Sequence, residues 1–109
     1  MRLTELEPEF IAYRDDCVLT GKTFAEAQGI WFLCPLCFQK LGGSVGCHSV
    51  DVSFDGCGVL PQQGTHNKEG KPVRWQVSGT GIHDLTTKPS IQLEGGCNWH
   101  GWITNGEVT

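Results

Sequence analysis

Two short stretches carry the residues that could do chemistry. In WFLCPLCFQK (31–40), Cys34 and Cys37 stand in Cys-x-x-Cys spacing with Pro35 between them. In GGCNWHGW (95–102), Cys97 and His100 repeat that gap some sixty residues on. Thiolate sulfur and imidazole nitrogen are donors that zinc prefers, four of them at tetrahedral corners about 2.0–2.3 Å from the ion. A Cys-x-x-Cys turn aims both sulfurs at one point, and Pro35 helps by fixing its backbone φ. Two pairs at matched spacing predict one Zn2+ bound by Cys34, Cys37, Cys97 and His100. The competing account treats the thiols as small buried hydrophobes and His100 as a surface residue. Packing alone does not explain two cysteines set across a proline turn. His48 is the fallback fourth ligand: in an extended segment it and its neighbour Cys47 point to opposite faces, so one of them, not both, could join the set. Cys57, in the turn DGCG, and Cys17, in an expected strand, read as ordinary thiols.

A catalytic zinc needs an open coordination position and a nearby acid or base. Four protein ligands predict a closed, structural site. Neither the His-x-Glu…Pro-Cys-x-x-Cys pattern of zinc deaminases nor His-Glu-x-x-His occurs. Were the site Cys34, Cys37, His100 and a water, Asp84 or Glu94 would be the candidate base. GTGIHDL (79–85) lacks the third glycine and the Gly-Lys-Ser/Thr of phosphate loops, so it reads as a turn, with His83 and Asp84 a possible polar pair. Of the four tryptophans, Trp75 fits a core-facing alternation, whereas Trp99 and Trp102 flank His100 and could shield the metal or form a contact patch.

The elements that must position these residues are short. Alternating or compact apolar runs at 30–33, 49–54, 73–77 and 90–93 read as strands, and 102–109 reads as a strand, an Asn-Gly turn and a return strand. Helical candidates are confined to TELEPEFIAY (4–13) and TFAEAQ (23–28), the second capped by Thr23. Residues 58–72 have no period and many turn formers, which predicts an exposed loop. Together these give a single domain over 1–109: mostly β, a zinc-ribbon-like antiparallel sheet with short helices near the N-terminus, and residues 1–22 an N-terminal arm. The net charge is −4 and the basic residues are scattered, so nucleic acid is not an expected partner. No apolar run approaches the about 18 residues of a membrane span. The opening MRLTELEPEF has no apolar core of a signal peptide, so a bacterial cytoplasm is expected, where thiols serve as ligands.

Taken in order, GIWFLCPLC, RWQVSGTGIHDLTTKPSI and CNWHGWITNGEV resemble a family of small cysteine/histidine proteins of phages and prophages, with related domains beside bacterial ubiquitin-like conjugation genes. The likeness covers about residues 24–108. Family members often carry a richer Cys-x-Cys-Gly-Cys knuckle, where this chain has Leu36, Phe38 and Gln39. The resemblance implies a zinc-binding setting and assigns no reaction. With a closed metal site, it leads to the expectation of a protein-binding accessory module that meets a host or phage protein, with antagonism of host defence as one role. A small zinc-dependent hydrolase or nucleotide-processing enzyme and a minor virion or assembly component are the alternatives.

Overall fold

Apolar alternation sets the first sheet. In β3 (Gly29–Leu33) and β4 (Ser49–Ser53), Ile30 pairs with Val52 and Phe32 with Val50, and all four are buried. β1 (Glu9–Arg14) pairs antiparallel with β3 on one side and with β2 (Cys17–Lys22) on the other, giving the order β2-β1-β3-β4. The second sheet runs β5-β6-β7-β8, all antiparallel: β5 (Gln76–Ser78), β6 (Thr86–Gln92), β7 (His100–Thr104) and β8 (Glu107–Val108). This computed structural model describes residues 1–94 and 96–109. The expected mostly-β, antiparallel architecture is what it has, divided between two sheets.

One core joins them. Ile30, Phe32, Val50 and Val52 from the first sheet, Ile91, Ile103 and Val108 from the second and Leu85 just ahead of β6 belong to a single buried cluster. Phe32 and Trp99 meet edge to face across it, ring centroids 6.1 Å apart. Backbone bonds from Asp55 N to Trp75 O and from Trp75 N to Ser53 O lace the sheets together at one end. At another, Leu3 and Leu6 are fully buried, and the Met1 amino group reaches the Val108 carbonyl and the Glu107 carboxylate.

Three segments differ from the sequence expectation. TELEPEFIAY makes only a 3-10 turn, Leu3–Leu6, before entering β1. Pro8 disfavours a helical backbone at the preceding residue, and Glu7 sits at φ 51, the left-handed stop of the turn. Phe10 and Ile11 then enter the core, so residues 9–22 form an edge hairpin of the first sheet and not a free arm. The α-helix, α1 (Pro35–Leu41), lies in the knuckle itself. Pro35 occupies its first turn, where a missing N–H costs nothing, and Gly42 at φ 72 closes it. TFAEAQ supplies one 3-10 turn, Phe24–Glu26, closed by Thr23 N and Oγ1 donating to the Glu26 carboxylate. Residues 58–72 contain no helix or strand among the described residues, only an isolated bridge from His66 to Pro72. The Arg74 guanidinium gathers that segment by donating to the carbonyls of Leu60, Gln63 and Thr65.

Candidate functional site

Cys34 ends β3 and precedes α1, Cys37 lies in the first turn of α1, His48 immediately precedes β4, and Cys97 lies in the β6–β7 connection. Their donor atoms lie within 4.8 Å of one another, so Cys34, Cys37, His48 and Cys97 cluster closely enough to hold a metal ion. Cys34 and Cys97 sulfurs are 3.3 Å apart, and His48 Nε2 is 3.2 Å from Cys97 Sγ. These edges are a little shorter than the about 3.8 Å between sulfurs around a tetrahedral ion, so modest opening would seat one. The strand ladder explains His48: pairing of Leu33 with Ser49 continues into a bond from Cys34 N to His48 O, which sets the imidazole beside the first thiol.

Electrostatics divide the thiols. Burial pushes the Cys34 thiol up to about 12, with its sulfur 3.3 Å from that of Cys97. Burial also opposes ionisation of Cys97, but hydrogen bonds from His48, Cys34 and the Trp99 backbone outweigh it and bring that thiol down to about 7. The cluster therefore already carries one sulfur disposed to be a thiolate, the form a metal binds. Cys47 donates to Gly43 O, Cys57 is half-buried and Cys17 is exposed.

His100, expected as the fourth ligand, is elsewhere. It belongs to β7, where successive side chains point to opposite faces. Trp99 is buried against Phe32, which sends His100 outward, then Gly101 inward and Trp102 outward. A side chain at Gly101 would strike the Trp99 ring and the Thr109 carbonyl, so the small residue lets Trp99 fold inward. On the outer face, His100 Nε2 lies 2.9 Å from Ser90 Oγ. Ser90 reaches that position through an irregularity in β6: Thr87 pairs with Ile103 and Ile91 with Gly101, so four steps on β6 face two on β7. Such bulges re-aim side chains. The Trp75 indole N–H donates to the Ser90 carbonyl at 3.2 Å and holds the backbone there.

A serine hydroxyl bonded to a histidine ring nitrogen is an arrangement for nucleophilic catalysis. With the proton on Nδ1, Ser90 donates to Nε2, which can accept the hydroxyl proton on attack. Among the described residues no carboxylate forms an ion pair with His100. Ser53, tied into a side-chain network with the half-buried Tyr13, Asp51 and Thr65, is itself fully buried and offers no access to substrate. A cleft of about 460 Å3 opens beside Ser90, between Gln92, Glu94 and the His66–Lys68 segment. A second hollow, of about 590 Å3, adjoins Lys88, Pro89 and Trp102.

The remaining sequence candidates fall into place around these centres. Trp102 is exposed on the His100 face, whereas Trp99 is in the core and Trp75 is 5% exposed. His83 is exposed and 4.0 Å from Asp84, whose carboxylate accepts from Thr80 N, Thr80 Oγ1 and Gly81 N and so closes its own turn. Glu94 lines the Ser90 cleft.

Compared with known proteins, residues 4–109 match the family of the bacterial ubiquitination-like system serine protease (BubE). The chain belongs to this family. Comparison with curated proteins and with solved structures gives no match. The link to bacterial ubiquitin-like systems stands, but a serine protease family overturns the expected non-enzymatic accessory module. The sequence expectation set His100 among the thiols; in the structure its Nε2 faces Ser90 Oγ, and His48 stands beside the thiols instead. The signal was present in the chain as alternation: Trp99 inward requires His100 outward. Ser90 lies within a stretch that carries the family resemblance, but only strand pairing and its bulge bring it to His100.

Proposed function

We propose that this chain is a serine peptidase acting within a bacterial ubiquitin-like conjugation system, with Ser90 as nucleophile and His100 as general base. The observation that carries the reading is the 2.9 Å contact between Ser90 Oγ and His100 Nε2 on an accessible face beside a cleft. Ser90 Oγ attacks the substrate carbonyl while His100 Nε2 takes its proton. The protonated imidazole then delivers that proton to the departing amine, leaving an ester on Ser90. Water, deprotonated by His100, cleaves the ester and restores the hydroxyl.

Zn2+ at Cys34, Cys37, His48 and Cys97 completes the reading. Three thiols and one imidazole suit zinc by donor type, and four protein donors make a closed site. When bound, the ion supplies folding free energy and cross-links α1, the start of β4 and the β6–β7 connection. Cys97 is three residues from His100, so this clamp also steadies the base. A reducing cytoplasm would keep the thiols available as ligands.

A fluorophosphonate probe tests the nucleophile directly. Mass spectrometry of the labelled, metal-containing protein should place the adduct on Ser90, with labelling lost in Ser90→Ala and strongly slowed in His100→Ala. A folded protein that is unlabelled, or labelled at another serine, would overturn the assignment.

A further inference from the structure

We propose that the unpaired edge of β6 beside Ser90 takes its substrate as an extended peptide, which adds a strand against Gln92 and places an apolar side chain in the adjoining cleft. This rests on Ser90 and His100 being the catalytic pair. β5 pairs only with Thr86 through Lys88, so beyond Lys88 β6 has β7 on one side and, among the described residues, no strand on the other. The pleat fixes which groups face that free side. Leu93 N bonds to Trp99 O, toward β7, and the Ser90 carbonyl points the opposite way, to the Trp75 indole. Alternation then turns the N–H and C=O of Gln92 away from β7 as well. A strand edge of this kind is a template for an incoming peptide backbone.

The cleft on that side includes Ser90 and Gln92 in its own lining, so a peptide bonded to Gln92 runs directly to the nucleophile. Its apolar surface comes from Val73, Trp75 and Leu93, with Lys68 and Glu94 at its polar rim. Main-chain bonds would supply register and the cleft would select the side chain, as in strand addition generally. Gln92 does not block the edge, because its side-chain amide donates to the Leu93 carbonyl along its own strand.

Peptidyl diphenyl phosphonates test this on the metal-containing protein. They form an O–P bond with a serine hydroxyl and release phenol, while an ethyl fluorophosphonate without a peptide reports the dyad alone. Leucine or phenylalanine next to the phosphorus should raise the rate of Ser90 labelling about tenfold or more over aspartate or lysine. Single N-methylation of the peptide should slow labelling about tenfold at alternate positions and leave the intervening ones unaffected, as lost backbone bonds require. Leu93→Asp should remove the apolar preference, read as the ratio of leucine to aspartate phosphonate rates within that variant. Should that variant lose its metal or its fold, the N-methyl series on the unaltered protein decides. Fluorophosphonate labelling of Ser90, with peptide rates within about twofold of one another and every N-methyl tolerated, would overturn the strand-docking groove and leave the dyad standing. Failure of the fluorophosphonate at Ser90 would overturn both.

Discussion

The thiol cluster and the Ser90–His100 pair share one short stretch of chain, where Cys97 precedes His100 by three residues, yet they are built on opposite principles. Four donors from three separate segments converge on the cluster, Cys34 is fully buried, and each donor faces another. The pair comes from two neighbouring strands, on an outer face, with a cleft against it. Convergence leaves no position for substrate; exposure on one side leaves room for a carbonyl to approach. Histidine appears in both, and its environment decides its work: His48 faces a thiol, His100 faces a hydroxyl.

Breaking the Ser90–His100 pair should spare the metal centre, whereas breaking the metal centre should cost both. Ser90→Ala is expected to lower peptidase activity about a thousandfold or more, with metal content and melting temperature unchanged. Elemental analysis and a melting curve beside the activity assay check this, and an altered melting temperature would mean Ser90 serves the fold. Cys97→Ser should release the metal and lower the melting temperature sharply. Structural zinc contributes on the order of 10 kcal/mol in small peptides, against a whole-domain stability of similar size. Activity should fall with it, since the β6–β7 connection leads into His100.

The two histidines give the sharpest contrast. His48→Ala should deplete metal, whereas His100→Ala should keep it and lose activity. The reverse result would return His100 to the metal shell and end the dyad reading.

A smaller effect separates the two tryptophans. Trp99→Ala should cost about 3–5 kcal/mol, as loss of a buried large aromatic does, measured by denaturant unfolding. Trp102→Ala, on the exposed side of β7, should cost about 0.5 kcal/mol or less. If it unfolds the protein as badly as Trp99→Ala, the outer face is not free for substrate.

Much was legible in the chain alone. Donor types and knuckle spacing are local, so three of the four clustered residues, Cys34, Cys37 and Cys97, could be named from them. The strands too could be read, because burial imposes a two-residue alternation that the apolar residues record. What the sequence could not decide was which histidine joins the thiols. That choice depends on the β3–β4 register, which sets His48 beside Cys34, and on Trp99 taking the inward position ahead of His100. Ser90 was hidden for the same reason. Its hydroxyl meets His100 only because β6 carries extra residues between Thr87 and Ile91, a property of two paired strands. Local chemistry names the donors a chain possesses; pairing across the sheet settles which of them meet.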